Sequence, residues 1–268
     1  MRILITGGNG YIARSLFNAL KDGHEVTTIS RKDFDLTSFK DLNKFLIGKH
    51  FNVVLHTAVS GGSRLKIDTD QDMDNNLKMY YNLLEHREHY GKLIHFGSGA
   101  EDYAPETPYG ISKRIIARSI FEQDSFYNIK IFGVFDENEL NTRFIKANLN
   151  RYINKQPMMI DAHKKMTFFY MKDLITLVKH HIDTRDTALT TQSHCSYTND
   201  YTLREITDMI NELDDYRVPV YMTEEFAEDY TSKYNAGYGL PYVGFKKGLQ
   251  EVYNKLKQTN ENKFHTSF

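Results

Sequence analysis

The stretch Arg2-Ile3-Leu4-Ile5-Thr6-Gly7-Gly8-Asn9-Gly10-Tyr11-Ile12-Ala13 decides the fold. Its first five residues form a short apolar run, the kind that fills a strand buried on both faces. Gly7 and Gly10 then permit a tight turn and a close backbone approach. Tyr11–Leu20 follows with apolar residues at Ile12, Leu16 and Leu20, the spacing of an amphipathic helix. Strand, glycine turn and helix in this order aim the first helical amides, at the positive end of the helix dipole, into the turn. That arrangement suits a pyrophosphate. Ala13 is the small residue needed where helix and strand pack closely. The stretch predicts a dinucleotide site through Gly7, Gly10, Tyr11 and Ile12.

The same alternation continues outward. Apolar runs at 25–29, 52–56, 93–96 and 129–132 read as strands. Helical spacing at 72–86 and 108–121 separates some of them. Strands alternating with helices predict an α/β doubly wound parallel sheet with right-handed crossovers. Beyond residue 136 the pattern loosens into helix-like stretches at 141–153, 172–181 and 203–213 and short extended pieces such as 156–160. The expected organisation is a dinucleotide-binding domain over 1–135, with a returning segment near 165–185. A small mixed substrate-binding cap over 136–260 and a polar tail at 261–268 complete it, the chain fraying from 255 onward. Substrate is expected between the two parts.

Composition narrows the function classes. The chain has 268 residues, with 34 Lys and Arg against 35 Asp and Glu, a net charge of −1. Such balance argues against nucleic-acid binding driven by bulk charge. The lone Cys195 allows neither an internal disulfide nor a cysteine-based zinc site. The longest apolar runs fall well short of the roughly 20 residues of a membrane helix. No charged segment followed by an apolar stretch opens the chain, so no signal peptide is expected and the expected location is cytoplasmic. His180 and His181 are adjacent and diverge on a helix, and His86 and His89 lack an evident third ligand. No metal site is expected.

The second strand runs into Ser30-Arg31-Lys32. An acidic residue there would hold a ribose 2′-hydroxyl; two cations instead suit a 2′-phosphate, so NADP is favoured, with NAD as the alternative. Asp35 follows as a neighbour of the adenine. Tyr109-Gly110-Ile111-Ser112-Lys113 stacks a phenol and an ammonium on one face of a helix. The ammonium stabilises the phenolate, which lets the tyrosine exchange a proton near neutral pH while a hydride moves to or from a carbonyl carbon. Ser98, at the carboxyl end of the fourth strand, is placed to hydrogen-bond the reacting oxygen.

Glycine turn, strand-end serine and Tyr-x-x-x-Lys in this order resemble the extended short-chain dehydrogenase/reductases. More narrowly they resemble the NAD-dependent epimerase/dehydratase family, which acts on nucleotide sugars. Leu55-His56-Thr57-Ala58 resembles its third strand end, which implies cofactor contacts from Thr57 and Ala58. Val59-Ser60-Gly61-Gly62 is similar to GDP-fucose synthases. The helix at 76–85 and the segment Phe168-Phe169-Tyr170-Met171-Lys172-Asp173-Leu174 also fit. The resemblance covers roughly residues 1–185. It implies a Rossmann-type sheet with a C-terminal cap, a nucleotide-sugar substrate, and contacts from Gly61 and Arg143. It also implies a homodimer through a four-helix bundle, in which Tyr80, Ile115 and Ile120 are apolar enough to serve. Departures bear on the reaction. Where dehydratases carry an Asp-Glu pair this chain has Ala100-Glu101, and where GDP-fucose synthases carry a cysteine it has Ala100 or Glu101. Reduction of a 4-keto-sugar through Ser98, Tyr109 and Lys113 is the favoured reading. Epimerisation or dehydration, with Glu101 as a carboxylate base, and a non-catalytic NADP-binding regulator remain alternatives.

Overall fold

The computed structural model describes residues 1–63, 66–224 and 226–265, with side chains to residue 260. The chain divides into two compact units, Met1–Ile131 with Val178–His194, and Phe132–Leu177 with Cys195–Phe268. The first unit regains the chain at Val178–His194.

The first unit is built on a six-stranded sheet. Its strands are β1 (Arg2–Thr6), β2 (Glu25–Ile29), β3 (Phe51–His56), β4 (Tyr90–Ser98), β5 (Phe126–Ile131) and, from the returning segment, β10 (Gln192–Cys195). Their order is β10-β5-β4-β3-β1-β2. The registers are parallel, with Ile3 beside Val26 and Val53, Leu55 beside Ile94, and Ser98 beside Ile131. The chain therefore starts in the sheet's interior and reverses direction there, which brings the carboxyl ends of β1, β3 and β4 together. In open sheets of this kind such a crevice receives ligands.

Helices α1 (Tyr11–Leu20), α2 (Phe39–Leu46), α3 (Asp70–Glu85), α4 (Ala100–Tyr103) and α5 (Pro108–Phe121) connect these strands. Their starts are written locally. Thr69 and Asp72 form a reciprocal capping box on α3. Thr107 caps α5 by accepting from the Gly110 amide, with Pro108 in the first turn. Helix α2, which periodicity missed, is capped by Ser38 and buries Leu42 and Leu46. Tyr80, Leu83, Ile116 and Ile120 join Leu4, Val54 and Leu93 in one core.

That core corrects one expectation. Tyr80 and Ile120 are fully buried inside the unit, and the Tyr80 hydroxyl donates to Ser119 Oγ at 3.0 Å. Neither is available to a partner subunit. Of the three residues proposed for a dimer face only Ile115 reaches the surface; Tyr81 on α3 and Phe121 on α5 are also exposed.

The second unit holds β6 (Val134–Phe135), α6 (Phe144–Ile153), β7 (Met158–Ile160), β8 (Lys165–Met166), β9 (Phe169–Tyr170), β11 (Tyr201–Thr202), α8 (Leu203–Ile210), β12 (Val220–Met222) and α9 (Phe245–His265). Helix α7 (Met171–Asp183) runs across the division of the chain. The short strands pair as β6 with β9, β7 with β12 and β8 with β11. Their core joins Phe135, Tyr152 and Tyr170 to Ile206, Leu249, Val252 and Tyr253. The expected fraying from residue 255 is also corrected. Helix α9 continues to His265 and buries Leu256, and Asp214 accepts from both the Tyr253 hydroxyl and Lys257 Nζ at 2.6 Å. Its apolar residues at 249, 252, 253 and 256 keep helical spacing inside a polar sequence. Among the described residues no helix is long and apolar enough to cross a membrane.

Candidate active site

Thr6 ends β1 and fastens the glycine turn to β3. Its hydroxyl accepts from the Ala58 amide at 3.1 Å, and Thr57 Oγ1 donates to the Thr6 carbonyl at 2.6 Å. Gly7 has φ +69°, and a Cβ there would lie 2.7 Å from Ala58 Cα. A side chain is therefore excluded on two grounds, conformation and space. Gly10 closes the turn by donating to the Gly7 carbonyl at 2.8 Å and stands at the N-cap of α1. No side chain caps that helix, and its first turn carries no acidic residue. Its leading amides and positive dipole end are left for an anion.

Beside the turn opens a cavity of about 480 Å³. It is lined by Gly7, Gly10, Arg31, Asp35, Thr57 and Ala58 among the residues expected from sequence, and by Asn9, Phe34, Ser60, Asn75 and Met79, which sequence reading missed. Tyr11, Ile12, Lys32 and Gly61 do not line it. Apolar walls with a few polar groups fit the adenosine and pyrophosphate of a dinucleotide. The entrance turn is preset by Asp33. Its Oδ2 accepts from the Ser30 amide at 2.8 Å and the Ser30 hydroxyl at 2.9 Å, and these bonds hold its carboxyl below the ordinary range. Arg31 stands exposed on that turn.

The residues expected from sequence to transfer a proton are Tyr109 and Lys113, and Lys113 reaches the carboxyl end of β4. Tyr109 and Lys113 lie one turn apart on α5, with Lys113 Nζ 5.8 Å from the Tyr109 ring centroid. Lys113 is buried. Its Nζ donates to the Phe96 carbonyl at 2.7 Å and lies 3.4 Å from His95 Nε2. Burial pushes its pKa down to about 8, against the pull of Glu101. Burial and the Lys113 charge likewise depress His56, to about 3, and His95, so both imidazoles are neutral. His56 Nδ1 lies 2.9 Å from Thr6 Oγ1, which ties the lysine's surroundings to the glycine turn.

A loop covers the tyrosine. Gly62 has φ +71°, and a Cβ on it would lie 2.7 Å from the ring atoms Cε2 and Cζ of Tyr109. Its amide donates to Asp68 Oδ1 at 2.7 Å. Asn76 holds the same loop by accepting from the Ser60 amide at 2.8 Å and donating to the Ser60 carbonyl at 2.9 Å. Asn76 also donates to Ser112 Oγ at 3.1 Å, and that hydroxyl donates to the Tyr109 carbonyl at 2.7 Å. Sequence reading placed Asn76 only by resemblance; the structure shows it joining the loop to α5.

Ser98 is half-buried, and its hydroxyl accepts from the Ala100 amide at 3.1 Å. Glu101, read from sequence as a carboxylate base, is buried with both oxygens engaged. Oε1 accepts from the Ser98 amide at 2.9 Å, and Oε2 pairs with Lys130 Nζ at 3.0 Å. Burial raises its pKa while Lys130 and the Ser98 amide oppose the rise. Lys130 also meets Asp102 at 2.9 Å. Burial alone would lower the Lys130 pKa; the two carboxylates outweigh it and hold the ammonium charged. Arg143 belongs to the second unit, where it is exposed at the N-cap of α6. No cluster of metal-ligating side chains occurs among the described residues.

Known proteins share the sequence pattern and the fold. A family model described as the NAD-dependent epimerase/dehydratase family matches residues 3–193. CDP-abequose synthase of Yersinia pseudotuberculosis is 24% identical over 247 residues, covering 80% of this chain and 85% of that protein. Among solved structures, UDP-glucose 4-epimerase of Thermotoga maritima superposes with a TM-score of 0.80 at 16% identity, covering 97% of this chain and 99% of that one. A GDP-mannoheptose C4 reductase of Campylobacter jejuni with NADP bound gives 0.77 at 15% identity, covering 96% and 98%.

Proposed function

Because the chain belongs to the NAD-dependent epimerase/dehydratase family, we propose that it is an NADP-dependent oxidoreductase that reduces a ketone at C4 of a nucleotide sugar. The observation that carries the reading is the buried Lys113 held one turn from Tyr109, in the unit that also holds the glycine-turn cavity. Support for C4 comes from the names of the similar structures, a C4 reductase and a 4-epimerase. Support for a nucleotide sugar comes from these and from CDP-abequose synthase.

The residues present fit the dinucleotide. Gly7, Gly10 and the uncapped α1 take the pyrophosphate, Asp35 flanks the adenine, and Arg31 on its preset turn takes the 2′-phosphate. When bound, the cofactor supplies the hydride. The chain's own residues manage the oxygen. Ser98 orients the carbonyl, and Tyr109 gives its phenolic proton to the oxygen as that oxygen becomes an alkoxide. Lys113 stabilises the tyrosinate left behind and draws a proton from solvent to restore it. Ketone, reduced cofactor and one proton become alcohol and oxidised cofactor.

The second unit is proposed to carry substrate contacts, with Arg143 on it as a diphosphate contact; Gly61 of the first unit is proposed separately as a substrate contact. A cytoplasmic homodimer through the outer face of α3 and α5, with Ile115 on it, completes the proposal.

The test is a panel of 4-keto nucleotide sugars with NADPH, followed at the nicotinamide absorbance. One NADPH should disappear per sugar reduced. Tyr109→Phe should stop turnover and leave NADPH binding intact. Interconversion of C4 epimers with no net NADPH consumption would replace the reductase with an epimerase.

A further inference from the structure

We propose that Glu101, anchored by Lys130, is a positioning residue that clamps the end of β4 and holds Lys113 as an ammonium, and that it exchanges no proton with substrate. The proposal rests on Tyr109 and Lys113 being the proton-transfer pair.

The geometry is that of a clamp on three successive residues. Lys113 Nζ donates to the Phe96 carbonyl at 2.7 Å, and Glu101 Oε1 accepts from the Ser98 amide at 2.9 Å. Between them lies Gly97, whose missing side chain leaves the space that the Glu101 carboxylate and the Asn128 amide occupy. The strand end is thus gripped by a cation at one peptide and an anion at the next. Ser98 takes its place from that grip. Lys130 fixes the anion from β5 at 3.0 Å. A carboxylate bonded through both oxygens and neutralised by a buried ammonium is a weakened base toward a carbon-bound proton, whereas its charge still acts on Lys113 across the strand end.

The charged and titratable groups around Lys113 are few. His56 from β3 and His95 from β4 are neutral, and Tyr109 shares its helix. Glu101 from α4 is the anion that favours its charged form. Lys130 and Asp102 belong to the Glu101 ion pair, and His194 from β10 lies beside them.

The full chain labelled with ¹³C at lysine Cε reports the Lys113 titration directly, with Lys113→Met assigning the signal. No substrate is needed, so this reading stands or falls apart from the proposed activity. Glu101→Gln keeps an oxygen for the Ser98 amide and removes the charge. It should move the Lys113 titration down by roughly one pH unit, and where turnover is measured the alkaline limb of kcat/KM should move with it. The double variant Glu101→Gln, Lys130→Met removes both charges of the pair, leaves neither buried alone, and should show a smaller downward shift, because losing the Lys130 cation offsets part of the loss of the Glu101 anion. A Lys113 titration unmoved in either folded variant overturns the proposal. So does solvent deuterium bonded to a sugar carbon in the wild-type product and lost in Glu101→Gln, because that would make Glu101 a base.

Discussion

Replacing Lys113 with methionine should make the folded chain more stable at neutral pH while abolishing turnover. The magnitude follows from the site. Burial holds the Lys113 pKa at about 8, against an ordinary value of 10.5. The unfolded chain therefore holds this proton more tightly than the folded one. The resulting penalty on folding is full below pH 8 and relieved as pH rises toward 10.5. At about 1.4 kcal/mol per pH unit it amounts to about 3 kcal/mol at pH 7. Methionine fills the space of the lysine stem but gives up the bonds to the Phe96 carbonyl and His95, about 1–2 kcal/mol. The net expectation is a gain of about 1–2 kcal/mol, read as a higher urea midpoint at unchanged slope. Because the penalty fades with pH, the advantage over wild type should shrink by about 2 kcal/mol between pH 7 and about pH 9.5. A Lys113→Met chain less stable than wild type at pH 7, or an advantage independent of pH, would refute the reasoning.

Other outcomes follow from the same geometry. Arg31→Ala should weaken NADPH binding roughly 10–100-fold, the loss of about 1.5–3 kcal/mol for a charged hydrogen-bonded contact, and leave NADH unchanged in a fluorescence titration; equal losses for both cofactors would place Arg31 away from the 2′-phosphate. Gly62→Ala should lower kcat at least tenfold with NADPH binding retained, because the new methyl meets the Tyr109 ring at a positive φ; steady-state kinetics at normal rates would show that the loop does not touch the working tyrosine. Leu256→Ala should cost about 2–4 kcal/mol in chemical unfolding, since α9 buries that side chain; a neutral effect would return the segment to a frayed tail.

Much of the fold was legible in short-range pattern. The apolar runs fell on the strands because an interior parallel strand is covered on both faces and reads as continuous Ile, Leu and Val. Helices α1 and α5 were bounded correctly at their starts, since Gly10 stands at the N-cap of one and Pro108 in the first turn of the other, both local start signals. The end of α9 escaped because few apolar residues mark it, whereas α2 was passed over although Phe39, Leu42, Phe45 and Leu46 stand at helical spacing and Ser38 caps it.

By itself the sequence determined the glycine turn, the spacing of Tyr109 and Lys113 and the cationic end of β2. Each is a local matter of backbone freedom, helical period or charge. Tertiary structure alone decided which side chains face inward and what each polar group meets. Tyr80 and Ile120 share helical spacing with surface residues, and only the position of the sheet turns them into core. Glu101 is a carboxylate just ahead of α5 in sequence; Lys130, 29 residues away, and the Ser98 amide make it half of a buried ion pair. Gly62 and Asn76 reach Tyr109 across 47 and 33 residues. Contacts over such separations are set by packing and hydrogen-bond satisfaction in the folded chain, and no local period encodes them.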